Sequence, residues 1–191
     1  MHSSTKKEYI KVGLFVTLVT FFIAMVMSIG SQTLVQMVNN RIVAFLLLFV
    51  IIILGIVFDI IGTAVTAAEL SPFNAMAARK VAGANIAVSL VKKADAVANF
   101  CNDIVGDIAG TLSGAIGAGI AISLIYAFSF LDVIILSSIM TSLIAGVTVG
   151  GKAIGKKFAI KHANKIIFKV AVLLIWWEKL TGLGSKGKKR R

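Results

Sequence analysis

Four stretches of the chain are almost continuously apolar, and short polar or charged segments bound each of them. They run from Ile10 to Gly30, Ile42 to Thr66, Ile104 to Phe128 and Val133 to Gly150. Each meets or approaches the roughly 20 residues that a helix needs to cross a bilayer core. The short alternating segments of a membrane β-barrel do not occur. The pattern therefore predicts an all-α fold, a polytopic transmembrane bundle of about four spans. Between the second and third runs the periodicity changes. Ser71-Pro72 reads as a helix start, with proline at the first helical position. Ala75, Met76, Ala78, Val81 and Ala82 follow at helical spacing, and Gly83-Ala84-Asn85 suggests a break. Ile86, Val88, Leu90 and Val91 then make a second amphipathic piece, so residues Ser71 to Ala98 are expected to form a cytoplasmic helical hairpin. After the fourth run Lys157, Lys161, Lys165 and Lys169 recur every four residues beside Phe158, Ile166, Ile167, Val170, Leu173, Leu174 and Trp177. That is the signature of a basic juxtamembrane helix lying among lipid headgroups, and Trp176, Trp177 and Lys179 suit the aromatic belt. A fifth span is disfavoured by the charge in the first half of this segment.

Composition agrees: 58% of the 191 residues are hydrophobic and 15% are charged, more apolar surface than a soluble domain of this size can hide. The formal net charge of +12 does not point to nucleic acid, because the basic residues sit at the edges of apolar runs and twelve of the twenty follow Val149. This distribution suits anionic headgroups, so the bilayer is the expected partner. Placing Lys6, Lys7, Lys11, the segment Glu69 to Ala98 and everything after Gly151 on the cytoplasmic side gives nineteen basic residues inside against one outside. The positive-inside rule then puts both termini in the cytoplasm of a multi-pass cell-membrane protein. A cleavable signal ending near Ser28-Ile29-Gly30 is the rival for the first run, whose apolar core is long for that role. Cys101 is the single cysteine, which excludes an internal disulfide and a cysteine-built zinc site. His2 and His162, far apart in sequence, read as solvated.

Ionisable side chains within hydrocarbon are costly, so those present carry the chemistry. Of eight acidic residues, Asp59, Glu69, Asp103, Asp107 and Asp132 fall within or at the ends of the spans. Asn99, Asp103, Asp107 and Thr111 lie four apart, along one face of the third helix. Gly106, Gly110 and Gly114 form a second stripe that lets another helix approach closely. Asp59, Thr63 and Thr66 make a polar set on the second helix. Facing stripes of this kind supply carboxylate, amide and hydroxyl oxygens, the donors of a hard divalent cation, without the thiolate or imidazole clusters of softer metals. The expected ligands are Asp103 and Asp107, supported by Asn99, Thr66, Thr63 and Asp59. The structural alternative is that Asn102 and Asp103 cap the third helix while Glu69 and Asp132 lie at the interface. No metalloprotease, Gly-x-Ser-x-Gly or cysteine–histidine arrangement occurs, and paired aspartates on one helix do not suit an aspartyl protease. No enzyme is expected.

The order of these elements resembles the transmembrane domain of the cyclin M-like and CorB/CorC family of magnesium-linked membrane proteins. Thr66-Ala67-Ala68-Glu69 stands where that family has a small-hydroxyl-acid signature, Asp103 and Asp107 stand at its amide positions, and Gly151-Lys152-Ala153-Ile154-Gly155-Lys156 replaces its Gly-Glu-x-x-Pro-Lys motif. The resemblance covers roughly residues 42–180, with residues 1–41 an added span and external link and 181–191 a basic tail. It implies magnesium or another divalent cation as the bound or transported ion, a homodimer and alternating access. Three departures matter, the first being that the family's helix-breaking proline is Gly155 here. The family's glutamate is Lys152 here, which either pairs with an added acid and closes the site or is offset by those acids. The chain also has no nucleotide-binding CBS pair, so no nucleotide cofactor is expected. A non-transporting adaptor that keeps the scaffold and binds a protein partner is the alternative reading.

Overall fold

The structure, a computed structural model, describes residues 13–15, 17–26, 28–30, 41–127 and 132–181. The expectations placed on Lys6, Lys7 and Lys11, on the link 31–40, on the turn at 129–131 and on the basic tail 186–191 lie outside the described residues. Every regular element among the described residues is helical, as the apolar pattern predicts. In chain order these are α1 (Gly13–Gly30), α2 (Arg41–Ala67), α3 (Leu70–Ala78), α4 (Ala84–Lys92), α5 (Ala94–Ala98), a π-helical segment (Asn99–Val105), α6 (Gly106–Ala127), α7 (Val133–Lys161) and α8 (Ala163–Thr181). Four helical stretches are long and apolar enough to cross a membrane: Gly13–Gly30, Ile42–Ala67, Ala94–Tyr126 and Val133–Lys161. Their surfaces keep large apolar side chains outward. Ile42, Leu46 and Phe49 on α2 are 58–68% exposed, and Ile134 on α7 is 74% exposed. A contiguous display of this size needs a covering, and for helices of this length a lipid one suffices.

Two compact units divide the chain, Met1–Ile53 with Ile108–Val147 and Leu54–Asp107 with Thr148–Arg191. In the first, α6 buries Ile108, Leu112, Ile116 and Ile120 at four-residue spacing, the row that faces one way along a helix. Gly117 admits the side chain of Ile144 from α7, which a Cβ there would strike. Ser113, fully inside, donates its hydroxyl to the Ala109 carbonyl at 2.7 Å. Asp132 caps α7 by accepting from the backbone N–H groups of Ile134 and Ile135 at 2.8 and 3.1 Å, an N-terminal cap of the usual kind.

The second unit holds the hairpin. α3 starts at Leu70, with Pro72 in its first turn where a missing N–H costs nothing. The reversal to α4 is made by Lys80 at φ 56° and Gly83 at φ 94°. The break thus ends at Gly83, and Ala84 and Asn85 open α4. Phe73 of α3 and Ala87 of α4 join Ala64 and Val65 of α2 in one core with Ala159, Ala163, Ile167 and Ala171. That last set repeats every four residues from α7 into α8, and its small members let the hairpin approach. The basic stripe is accordingly not on one helix. Lys157 and Lys161 finish α7, while Lys165 and Lys169 lie on α8, across a one-residue turn at His162. Hydrogen bonds from His162 N to Phe158 O and from Ile166 N to His162 O keep the two nearly continuous. All four lysines are exposed. α8 does not qualify as a fifth span.

Candidate cation site

Within the second unit three helices bring polar groups together. Asp59 and Gly62 lie on one face of α2, three residues apart. Thr148, Gly151, Lys152 and Gly155 form one face of α7, at spacings of three and four. Asn102 and Gly106 come from the π-helical segment and the start of α6. Glycine makes the approach possible. A Cβ at Gly155 would sit 2.7 Å from Ile60 Cγ1, one at Gly151 would strike Ile56, and one at Gly62 would strike the Asn102 side-chain amide. Gly106 leaves room for the Lys152 ammonium, whose Nζ would lie 3.4 Å from a Cβ there.

At the centre is Asp59, 4% exposed in a helix long enough to span. Lys152 Nζ lies 4.0 Å from its Oδ1 and Lys156 Nζ 3.9 Å from its Oδ2. Both exceed a direct charge-assisted hydrogen bond by about 1 Å, so the charges attract without sharing a proton. Three buried oxygens of this unit have no hydrogen-bond partner: Asp59 Oδ2, Asn102 Oδ1 and Thr148 Oγ1, the last of them one turn before Lys152 on α7. An orphaned buried polar group costs about 1–3 kcal/mol, so each of the three calls for a physical reason. A carboxylate, an amide and a hydroxyl oxygen are the donor set of a hard cation. Two ammonium groups beside the carboxylate are not, and they supply positive charge from within the chain instead.

The expected ligands are distributed differently. Asp59 is buried in the cluster. Thr63 is half-buried, and its carbonyl accepts from the exposed Thr66 hydroxyl at 2.9 Å. Asn99, Asp103 and Asp107 are exposed, so the four-residue stripe exists but faces outward, and Asn102 is the residue of this segment turned to α2. Neither Asn102 nor Asp103 caps a helix, because the helix runs through them and starts after Lys93. The glycine stripe also divides. Gly106 is closely approached, whereas a Cβ at Gly110 or Gly114 would meet nothing within 4 Å. No group of three or more histidine, cysteine, aspartate or glutamate side chains able to hold a metal forms among the described residues. Glu69 stands at the exposed end of α2, its backbone N–H donating to Asn164 Oδ1 at 2.9 Å. Asn102 and Thr148 are the site residues that sequence reasoning missed. Thr148-x-x-Gly151-Lys152-x-x-Gly155 was a readable signal at helical spacing, whereas the sequence offered Asn102 only as a helix cap. No family model matches this chain, and no curated protein or solved structure matches it either.

Proposed function

We propose that this chain is a multi-pass protein of the cell membrane, with both termini cytoplasmic, that binds and moves a divalent cation, magnesium foremost. The observation that carries the proposal is the set of orphaned buried oxygens on Asp59, Asn102 and Thr148. In this reading Lys152 and Lys156 are tethered counter-ions that an incoming dication displaces from Asp59. The exposed Asp103 and Asp107 attract cations toward the site, and Thr63, Thr66 and Asn99 line the approach. The resemblance to the CorB/CorC transmembrane domain supports the same ion class and a homodimer, and the open surface at Gly110 and Gly114 suits the helix of a second copy. The test is thermal unfolding of the purified protein with and without magnesium. A ligand at about 100 times its Kd adds about 2.7 kcal/mol to the folded state, so wild type gains stability and Asp59→Asn gains none. An equal gain in both removes Asp59 from the site.

One observation favours a second reading. With both lysines in place the cluster carries one negative and two positive charges, which repels a dication. A non-transporting adaptor that keeps the scaffold and binds a protein partner fits that charge. Proteoliposomes separate the two: magnesium flux supports transport, while no flux together with a stoichiometric partner in a membrane pull-down supports the adaptor.

A further inference from the structure

Away from the Asp59 cluster, the second unit contains a cavity of about 670 Å³ between the hairpin, α2 and α8. Its walls are apolar: Val57, Phe58 and Ile61 from α2, Phe100 from the π-helical segment and Leu173 from α8. Two charged side chains also line it, Lys93 where α4 ends and Lys169 on α8, and no acidic residue does. Both lysines are exposed. The cavity is therefore apolar throughout, with the aliphatic stems of Lys93 and Lys169 in its wall and their exposed ammonium groups free to reach its rim, complementary to a molecule with a hydrocarbon body and an anionic head.

Depth selects among such molecules. Val57 lies ten residues before Ala67, the cytoplasmic end of α2 in the proposed orientation. At about 1.5 Å per residue that is roughly 15 Å, half of a hydrocarbon core about 30 Å thick. The innermost wall residue thus lies near the bilayer midplane, within reach of an acyl chain of the inner leaflet, although the α2 part of the wall itself spans only Val57 to Ile61. The volume lies within the roughly 300–1,000 Å³ of ordinary ligand sites. We propose that this cavity is a binding site for an anionic phospholipid of the inner leaflet, its phosphate held by Lys93 and Lys169 and an acyl chain laid along Val57, Phe58, Ile61 and Phe100. The inference rests on the membrane reading but not on the cation site. It separates Lys169 from the rest of the basic stripe, which meets headgroups without a pocket. The bound lipid would touch α2, the end of α4, α5 and α8 together.

Native mass spectrometry of the full chain in detergent, incubated with phosphatidylglycerol or phosphatidylcholine of matched acyl chains, tests the site. Wild type is expected to retain phosphatidylglycerol at least tenfold better. The double variant Lys93→Gln/Lys169→Gln is expected to hold the two lipids within twofold, and Lys157→Gln/Lys161→Gln to keep the full preference. Ala96 also lines the cavity, and Ala96→Trp, which adds a large side chain there, is expected to lower retention of both lipids. A wild type without preference, an unchanged Lys93/Lys169 variant, or an equal loss in both double variants would overturn the proposal. Retention that survives in Asp59→Asn separates this site from the cation reading.

Discussion

Lys152 and Asp59 face each other 4.0 Å apart from two membrane-length helices, with the lysine 22% and the carboxylate 5% exposed. This is the strongest electrostatic relationship in the cluster, since Lys156 is 54% exposed and its attraction is screened. Removing one member of a buried pair leaves the other uncompensated, at a cost of about 3–5 kcal/mol. Lys152→Met is expected to lose about 3 kcal/mol, the low end, because Lys156 remains. If ammonium and dication share one place, magnesium then stabilises Lys152→Met more than it stabilises wild type. Thermal melts of both proteins across a magnesium titration check this, and identical shifts would mean that the lysine and the ion do not compete.

How far the sequence reaches is clearest at the third span. Its apolar run begins at Ile104, but the helix begins at Ala94. Asn102 and Asp103 looked like caps for that run, with the segment up to Ala98 assigned to the hairpin. Buried Ala98 and Cys101 hold it in the helix nonetheless, an instance of packing overriding propensity. Residues 99–105 are π-helical, with i→i+5 bonds. Asn99, Asp103 and Asp107 nevertheless remain together on an exposed side, and Asn102 meets α2, a direction that depends on which helices pack and not on spacing. α7 likewise outruns its apolar stretch, since Lys152 and Lys156 are held by Asp59 and need no early helix end. The two helices of the hairpin and the exposure of the four lysines were legible because their signals are local, but the helix boundary at His162 that divides the lysines was not. The partnership of Asp59 with α7 was not, because it depends on which helices meet.

The close seam between α2 and α7 predicts a steric effect of known direction. Gly155→Val places atoms against Ile60, where even a Cβ lies 2.7 and 2.9 Å from Cγ1 and Cδ1. Overpacking of this kind costs about 1–3 kcal/mol. Ile60→Ala in the same chain is expected to recover part of it, giving a coupling energy of at least about 0.5 kcal/mol in a double-mutant cycle. Gly110→Ala, with open space around it, is expected to be neutral or to gain up to about 1 kcal/mol from helix propensity. Additive effects of the residue 60 and 155 substitutions would show that the two helices do not press together there.

The hairpin reversal carries two left-handed residues with opposite expectations. Gly83→Ala puts a Cβ on a residue at φ 94°, 3.2 Å from Val172 Cγ2. Left-handed backbone alone costs an L-residue about 1–2 kcal/mol. Val172→Ala relieves the contact and leaves that backbone cost. Lys80 already bears it at φ 56°. Lys80→Gly removes the strain but adds about 0.4–1 kcal/mol of unfolded-chain entropy, so a net gain of about 0–1.6 kcal/mol is expected. Thermal unfolding ranks the three proteins Lys80→Gly, wild type, Gly83→Ala in falling stability. Limited proteolysis near residues 79–83 should rank them in the same order of resistance.

Orientation is the expectation on which the membrane reading of the hairpin depends, and the single buried Cys101 makes it measurable. In a Cys101→Ala background, Asn85→Cys reports the hairpin and Asp132→Cys reports the start of α7. Both positions are exposed. Losing the Asp132 cap costs about 1 kcal/mol, too little to unfold the chain. A membrane-impermeant maleimide added to intact cells is expected to label Asp132→Cys and to reach Asn85→Cys only after permeabilisation. Labelling in the opposite sense would invert the protein and place Lys93 and Lys169 at the outer leaflet. The phospholipid proposed for their cavity would then have to come from a leaflet with less anionic lipid, and the nineteen-to-one division of basic residues would run against the rule that orients helices with their lysines inside.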